Sequence, residues 1–540
     1  MNYLNELNEA QRAPVVHKDG AVMVIAGAGS GKTRVLTYRI AYLIQQGVDP
    51  FNILALTFTN KAAREMKERI GRIVGPSEAR NLWMGTFHSV FARILREEAS
   101  KLGFPRDFTI YDQQDSQRLI SAIIKEMGLD KEVYKYKQIA SRISSYKNNL
   151  ITVKAYYENP ELQEADAMAK RPRLGDIYAN YVDRCFKAGA MDFDDLLLRT
   201  NELLNVFPEV LAKYQHRFRY ILVDEYQDTN HSQYLIVRAL ADRFQNICVV
   251  GDDAQSIYAF RGANIDNIFN FQKDYPNVGV YRLEQNYRST GNILDAANAV
   301  IKNNRGRKDK SLWTDGESGE NIEIRQFQTA NEEADNIIKD IRDRARNNFR
   351  DFAVLYRTNA QSRLLEERCV TLGIPYQLVG GVNFYQRKEI KDVLAYLKTI
   401  ANGKDDIAIL RIINVPKRGI GATTISKVSE YANENNISLY DAMSISEMAG
   451  VGKASDKIKS FITMIEEFRE KFEKKANIAN TIEELLEETG YIESLYDEGE
   501  IEGESRKENI DELINKSGEY EDGELSLFLE DVSLVADIDR

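Results

Sequence analysis

The segment AGAGSGKT, residues 26–33, constrains this chain more than any other segment does. It follows an apolar run, residues 21–25, and precedes a helix-like stretch, residues 33–46. A strand, a loop of small residues, Lys-Thr and a helix form the P-loop arrangement. Small residues let successive backbone N–H groups approach phosphate oxygens, and the start of the helix adds partial positive charge. The segment therefore predicts a phosphate-binding loop, although its first position, usually Gly, is Ala26.

Two side chains complete this loop. Lys32 brings a full positive charge to the outer phosphates, and the hydroxyl of Thr33 is a ligand for Mg²⁺. A Gly-rich turn between a strand and a helix is the alternative, which the Gly-Lys-Thr sequence and both flanks disfavour. The residues expected at the nucleotide are Ala26, Gly27, Ala28, Gly29, Ser30, Gly31, Lys32 and Thr33.

A second motif, which is acidic, fits the same phosphate chemistry. Residues 220–230, YILVDEYQDTN, predict a buried strand that ends in an acidic pair, the Walker B pattern. Asp224 would hold Mg²⁺ through water, and Glu225 would orient and deprotonate the attacking water. An acidic pair after a strand is common, and its pairing with the P-loop makes it specific.

Further polar side chains stand close to these motifs. The amide of Gln11 presents a donor and an acceptor that match the edge of adenine, with a surface glutamine as the alternative. Gln255 follows a strand, residues 247–250, at a position suited to sense the terminal phosphate. Tyr287 can stack on a purine, and Arg288 can reach a phosphate with its fork of donors.

Another set of residues interleaves rings, hydroxyls and cations, which suits single-stranded nucleic acid. Phe58 ends a predicted strand, residues 53–59, and a core position is its alternative. A cluster of aspartates, residues 191–197, is typical of a helix start rather than a metal site, with Phe193 exposed or packed beside it. The other members of the set are Thr86, His88, Tyr258, Phe260 and Arg261.

A further phosphate site is predicted near the C-terminal third. Residues 414–425, NVPKRGIGATTI, resemble a helix-hairpin-helix turn, in which Gly419 and Gly421 free backbone N–H groups, with Lys417 and Arg418 alongside. A plain helix-loop-helix explains the same residues equally well.

Charge is unevenly distributed along the chain. The net charge is −11, but residues 491–540 hold 17 Asp+Glu against 4 Lys+Arg, so the rest of the chain carries +2. A near-neutral body can still hold a basic groove. We expect the acidic tail to be solvated and partly mobile, with a contact surface as the alternative.

Length and composition indicate a globular protein of three or four domains. The three cysteines lie far apart, and no stretch approaches a membrane span or a secretory leader, so we expect a cytoplasmic protein. Residues 105–200 predict helices without strands. A second α/β unit begins near residue 320, with strands at 321–327, 352–358 and 374–380 around helices at 332–346 and 359–373, and the chain is helical after residue 384.

Taken in order, these residues resemble superfamily 1 DNA helicases of the UvrD/Rep/PcrA group, the PcrA members most closely. The resemblance runs over essentially the whole chain. The segments that carry it are LNEAQ, AGAGSGKTR, TFTNKAAREM, GTFHS, DFDDL, DEYQDTN, GDDAQSIYAFRGA, LEQNYRST and FYQRKEIKDVLAYL.

The resemblance implies an α/β P-loop NTPase with two RecA-like lobes, parallel sheets flanked by helices and two helical insertion subdomains. The first lobe would comprise 1–105 and 200–280, with a helical insertion at 106–199. The second lobe, incomplete here, would comprise 281–384, and the second insertion with the acidic tail 385–540.

The resemblance also implies residue roles. Gln11, Arg34 and Tyr287 would contact adenine. The ATP hydrolysis set would be Lys32, Thr33, Asp224, Glu225, Gln255 and Arg288. The single-strand track would be Phe58, Phe193, Tyr258, Phe260 and Arg261.

The implied activity is an ATP- and Mg²⁺-dependent 3′→5′ helicase that moves on single-stranded DNA, acts on partially duplex DNA and works with repair or replication proteins, without a membrane. Three departures stand out. Phe260 occupies a position that is usually Trp, and Ala254 one that is often Asp. The family's last motifs, with Gly-Leu-Glu and an arginine finger, do not follow residue 500. We therefore expect a fragment, with a non-unwinding ATP- and DNA-binding module or a repair scaffold as alternatives.

Overall fold

The structure, a computed structural model, describes residues 2–259, 262–308, 310–379 and 384–538. The predictions for Phe260 and Arg261 lie outside the described residues. Within these ranges, no helix combines the length and the apolar character needed to cross a lipid bilayer.

A six-stranded parallel sheet organises the first half of the chain. Its strands are β1 (Val22–Ala26), β2 (Ile53–Thr57), β3 (Trp83–Thr86), β6 (Tyr220–Val223), β7 (Ile247–Gly251) and β8 (Gly279–Leu283). Their order in the sheet is β3-β2-β6-β7-β1-β8, and every neighbouring pair is parallel. The central strands are apolar runs buried on both faces, as expected for a parallel sheet covered by helices.

Helices cover both faces of this sheet, which confirms the predicted α/β fold class. Two hydrophobic cores lie one on each side of it, because alternate residues of β1 and β2 point to opposite faces. The helices are α1 (Glu9–Val16), α2 (Lys32–Gln45), α3 (Asn60–Val74), α4 (Pro76–Arg80), α5 (Phe87–Glu98), α11 (Phe193–Val206), α12 (Pro208–Arg217), α13 (His231–Ala241) and α14 (Asp266–Asp274).

A helical unit with its own core is inserted between β3 and β6. The prediction that it lacks strands is wrong, because β4 (Thr109–Tyr111) and β5 (Ala190–Asp192) pair in parallel where the insertion begins and ends. Three-residue strands are too short to leave a periodic pattern. Its helices are α6 (Gln113–Glu126), α7 (Tyr136–Asn148), α8 (Val153–Tyr157), α9 (Pro160–Met168) and α10 (Leu174–Lys187).

Among the described residues after β8, the structure contains helices but not the predicted second sheet. The helices are α15 (Gly291–Ile301), α16 (Ala330–Ala345) and α17 (Ser362–Thr371), close to their predicted positions. The strands predicted at 321–327 and 352–358, and the described part of the one at 374–380, are wrong, because these segments form no ladder. Ile324 and Leu355 are each 93% exposed, so neither a paired strand nor a covering helix protects them.

The last part of the chain is helical and has an extensive set of buried apolar residues of its own. Most carboxylates of the acidic tail are exposed, as predicted, but its apolar residues are packed, since Ile510 and Leu513 are fully buried and Leu534 lies in the core beneath the first sheet. The helices are α18 (Lys388–Ala401), α19 (Asp406–Ile412), α20 (Ala422–Glu434), α21 (Leu439–Ser444), α22 (Ala454–Glu473), α23 (Ile478–Thr489), α24 (Tyr491–Ser494), α25 (Glu500–Ser517) and α26 (Leu525–Ile538).

Candidate active site

The loop between β1 and α2 has the backbone that its sequence requires. Gly29 and Gly31 have φ of +63° and +83°, in the left-handed region that favours glycine. A Cβ atom on Gly27 would overlap the side chain of Leu312. Gly31 caps α2 without a side-chain hydrogen bond, so the first N–H groups of this helix remain available to an anion.

The predicted lysine and glutamate meet in this structure. Lys32 Nζ donates to Glu225 Oε1 at 2.6 Å, although the two residues lie 193 positions apart. They meet because β1 and β6 are parallel strands of one sheet, and their carboxyl ends share one edge. The ion pair joins a phosphate-binding cation to a carboxylate that can activate water.

Two further carboxyl groups beside this ion pair have raised pKa values. Burial, together with the neighbouring Glu225 carboxylate, raises the pKa of Asp224 to about 6. Burial and Glu225 likewise raise the pKa of Asp228 to about 7, and Asp228 Oδ1 is buried without a hydrogen-bond partner. A cation bound here would lower both values, because it would stabilise the charged forms.

The Gln227 side chain connects this acidic group to the loop that follows β7, and the Gln255 side chain is held within that loop. Gln227 Nε2 donates to Glu225 Oε2 at 2.7 Å, and its Oε1 accepts from the backbone N–H of Asp252 at 3.0 Å. Gln255 Nε2 donates to Asp252 Oδ2 at 2.6 Å. Sequence reasoning identified Gln255 but missed Gln227, whose partner lies in a different loop.

The loop after β8, residues 284–290, lies directly against the phosphate-binding loop. Asn286 Nδ2 donates to the carbonyl of Ala28 at 2.5 Å, and the N–H of Tyr287 donates to the carbonyl of Gly29 at 2.9 Å. The Tyr287 ring is exposed and its hydroxyl accepts from Asn8 at 2.5 Å. Arg288 is exposed beside Gly29. Sequence reasoning did not select Asn286, although it lies within the NYRST segment.

The other two residues predicted at adenine occupy different environments. Gln11 is buried, donates to the carbonyl of Ser30 at 3.1 Å and accepts from the N–H of Asn8 in the capping box of α1. Its amide therefore holds the backbone of the phosphate-binding loop at Ser30. Arg34 is exposed in the first turn of α2.

Aromatic rings gather at the carboxyl ends of β2 and β3. His88 and Phe193 stack at 3.7 Å with an interplanar angle of 14°, and Phe58 packs against Phe87 at 5.5 Å. Burial lowers the pKa of His88 to about 3, so its ring is neutral at physiological pH. Thr86 is buried and caps α5 by accepting from the N–H of Ser89, so its hydroxyl has a structural role.

The remaining predicted residues lie in two other places. Tyr258 is 38% exposed in the loop after β7. Lys417 is exposed between α19 and α20, and Gly419 there has a φ of +74°. Arg418 donates instead to the carbonyls of Ile412 and Ile413 and to the hydroxyl of Tyr396, so its guanidinium holds this turn together.

Comparisons with known proteins agree with this geometry. The family profile described as the UvrD/REP helicase N-terminal domain matches residues 7–276, and the UvrD-like helicase C-terminal domain matches residues 281–540. Proteins named ATP-dependent DNA helicase PcrA from Staphylococcus aureus (strain Mu50) and Bacillus subtilis (strain 168) are each 46% identical to this chain, over 547 and 556 residues. The alignments cover 99% and 100% of this chain and 74% of each relative.

Proposed function

The chain belongs to the UvrD/REP family of DNA helicases, and from that membership we propose how its residues use ATP to move along DNA. It is an ATP-dependent DNA helicase and therefore a DNA-dependent ATPase. The observation that carries the proposal is the 2.6 Å ion pair between Lys32 and Glu225.

In the proposed reaction, the terminal phosphate of ATP displaces Glu225 from Lys32. The ammonium group then neutralises phosphate oxygens, and the released carboxylate accepts a proton from the attacking water. The water oxygen bonds to the γ-phosphorus as the bond to the bridging oxygen breaks, which releases ADP and phosphate. Gln255 and Arg288 contact the γ-phosphate in this scheme and neutralise or orient it.

Mg²⁺ is the cation that we propose for this site. The Asp224 carboxylate and the Thr33 hydroxyl are oxygen donors of the kind that Mg²⁺ prefers, and the raised pKa of Asp224 marks a place where a cation would stabilise a buried carboxylate. When bound, the ion neutralises charge that develops on the phosphate oxygens.

Adenine lies, in this proposal, against the exposed ring of Tyr287 with Arg34 beside it. Gln11 contacts adenine only if its amide gives up its hydrogen bond to Ser30 or Asn8 and bonds to the base instead. Otherwise it acts by fixing the conformation of the phosphate-binding loop.

We propose that single-stranded DNA crosses the carboxyl ends of β2 and β3. The support is the His88–Phe193 stack and the Phe58–Phe87 pair at this edge, together with the exposed ring of Tyr258 in the loop after β7. Sequence adds Phe260 and Arg261 to the track. The 3′→5′ direction is proposed from the family resemblance, and a contact of Lys417 with DNA is proposed from the helix-hairpin-helix-like turn at residues 414–425.

The proposed organisation retains four subdomains. The first lobe comprises 1–105 and 200–280, with insertion 106–199; the second lobe comprises 281–384, with insertion 385–540. The boundary at residue 280 falls within β8, which pairs with β1, so we extend the first lobe to Leu283 and start the second lobe at residue 284.

We also propose that the protein acts in DNA repair or replication and binds proteins of those processes. A pull-down with the tagged chain tests this proposal. The cytoplasm is the proposed compartment, since all three cysteines are free and buried. Recovery of the chain outside the cytoplasmic fraction of cells would contradict it.

The test of the function is ATP turnover with and without an oligo(dT) strand. We expect DNA to raise kcat and Lys32→Ala to abolish turnover, because nothing else in the loop supplies a full charge to the phosphates. Lys339→Ala, an exposed lysine in α16, is the matched control and should leave turnover unchanged. Equal turnover with and without DNA would refute the proposed coupling.

A further inference from the structure

A buried lysine from the second half of the chain reaches the loop that carries Gln255. Lys310 Nζ lies 2.5 Å from Asp252 Oδ1 and 3.1 Å from Asp253 Oδ1. Only 5% of the Lys310 side chain is exposed, and the two carboxylates are 3% and 1% exposed. Among the described residues, no other side-chain cation lies within 4.0 Å of either carboxylate. This lysine therefore neutralises part of a buried double negative charge.

Asp252 contacts both Lys310 and Gln255. Its Oδ1 accepts from the N–H of Ala254 at 3.0 Å as well as facing Lys310, and its Oδ2 accepts from Gln255 Nε2 at 2.6 Å. Because one end of the glutamine amide is tied to Asp252, the carboxylate fixes how the amide is oriented. Lys310 therefore helps to hold Asp252, together with the Gln227 side chain and the N–H of Ala254.

The segment that bears Lys310, residues 310–313, also contacts the other parts of the nucleotide site. The side chain of Leu312 lies against Gly27 of the phosphate-binding loop. The carbonyl of Trp313 accepts from the N–H of Asn286 at 2.7 Å. The segment is anchored to α15, because Leu312 exchanges hydrogen bonds with the side chain of Asn298. Residues 310–313 therefore contact both the loop after β7 and the loop after β8.

We propose that Lys310 is a positioning residue for ATP hydrolysis, which holds Gln255 through Asp252 and links its orientation to the second half of the chain. Lys310 does not touch the reacting atoms. When the second half shifts, the ammonium group shifts with it, and the glutamine amide gains or loses its fixed orientation at the γ-phosphate. This inference rests on the proposed function, since it assigns a step to the same site.

The test is a double-mutant cycle in the full chain, measured as DNA-stimulated kcat and as KM for ATP. Lys310→Met removes the charge at similar length, and we expect kcat to fall by up to about 10²-fold, the effect of misplacing a reacting group by about 1 Å. KM should change little, because Lys310 does not contact ATP. Lys310→Arg keeps the charge and should recover much of kcat, while Lys302→Met, an exposed lysine at the end of α15, should behave like the wild type.

The Gln255→Ala background separates positioning from general stabilisation. If Lys310 acts through Gln255, adding Lys310→Met to Gln255→Ala lowers kcat no further. An equal loss of kcat in both backgrounds, or a loss that follows only the folded fraction measured by thermal unfolding, overturns the inference. The proposed function fails separately, if DNA does not stimulate the wild type or if Lys32→Ala remains active.

Discussion

Glu225 has a backbone conformation that few residues other than glycine adopt. Its φ of +48° lies in the left-handed region, two residues after the end of β6. Such a conformation costs on the order of 1 kcal/mol and persists only where the surroundings hold it. Here it turns the carboxylate toward Lys32, so the strain is located at the group that is proposed to activate water.

Glu225→Gln separates ATP binding from hydrolysis. The amide has nearly the same shape but cannot accept the proton of water, so we expect kcat to fall by about 10² to 10⁴-fold. Binding of a fluorescent ATP analogue should remain, because Lys32 loses a competing charge. Rapid-quench kinetics and equilibrium binding measure the two effects. Glu209→Gln, an exposed glutamate in α12, is the control, and normal turnover by Glu225→Gln would remove this residue from the reaction.

Phe193→Ala tests the aromatic row. The ring stacks on neutral His88 at the carboxyl edge of the sheet, so its loss should weaken oligo(dT) affinity by about 1–3 kcal/mol, the contribution of one stacked base. Fluorescence anisotropy measures the dissociation constant. Phe51→Ala is the matched control, because Phe51 is exposed at the amino end of β2, on the opposite edge of the sheet. Equal affinity of both variants would place Phe193 in the core alone.

At the scale of residues, the sequence was most informative where one continuous motif contains the chemically active side chains. The phosphate-binding loop and Glu225 could be predicted because each motif is continuous in sequence and both follow strands of a parallel sheet. Lys310 and Gln227 could not, because each acts through a partner in another loop and their residue types alone mark no role. Arg418 was selected for its charge, but that charge is used by carbonyl groups within its own turn.

At the scale of elements, the helix positions were predicted more reliably than the strands of the second half. A helix satisfies its own backbone, so periodicity and caps define it locally. A strand requires a neighbour, and apolar alternation at residues 321–327 does not reveal whether one is present. The second insertion shows a further limit, since Lys391 and Lys398 of α18 pair with Asp112 and Asp115 at the start of α6, far away in sequence.

Asp405 makes this docked region sensitive to pH. It caps α19 and accepts from the Tyr111 hydroxyl at 3.3 Å. Burial raises its pKa to about 7, Asp115 and Asp406 act in the same direction, and Lys398 opposes them. The folded state therefore binds more protons than the unfolded state between about pH 4 and 7, so this group's contribution to stability falls as pH rises through that window.

The substitution Asp405→Asn should remove this loss of stability at high pH. Asparagine stays neutral and its Oδ1 can still accept from the N–H of Ala408, so we expect the variant to be more stable than the wild type at pH 8 by about 1–4 kcal/mol, and nearly equal at pH 4. Thermal unfolding across this pH range measures the difference. Asp456→Asn, an exposed change in α22, controls for net charge. A variant less stable than the wild type at pH 8 would show that the carboxylate is stabilising.

At the scale of the whole molecule, one sheet edge holds both proposed sites. The loops after β1, β6, β7 and β8 surround the proposed nucleotide site, whereas Phe58 and His88 follow β2 and β3 of the same sheet. The second half touches the nucleotide side through Asn286 and Tyr287, which bind carbonyls of the phosphate-binding loop. A nucleotide that moves these loops therefore moves the second half relative to the edge on which DNA is proposed to lie.

This arrangement predicts a reciprocal coupling between the two ligands. If a non-hydrolysable ATP analogue changes oligo(dT) affinity by some factor, the oligonucleotide must change analogue affinity by the same factor and in the same direction, and we expect about 5 to 150-fold. Anisotropy of labelled DNA and fluorescence of the labelled analogue measure the two sides independently. Lys32→Ala should reduce the factor toward one by removing the phosphate contact, whereas Phe51→Ala should preserve it. A factor of one in the wild type, with both ligands bound, would mean that the two sites share a sheet without sharing a conformational change, and the motor mechanism would fail at its central step.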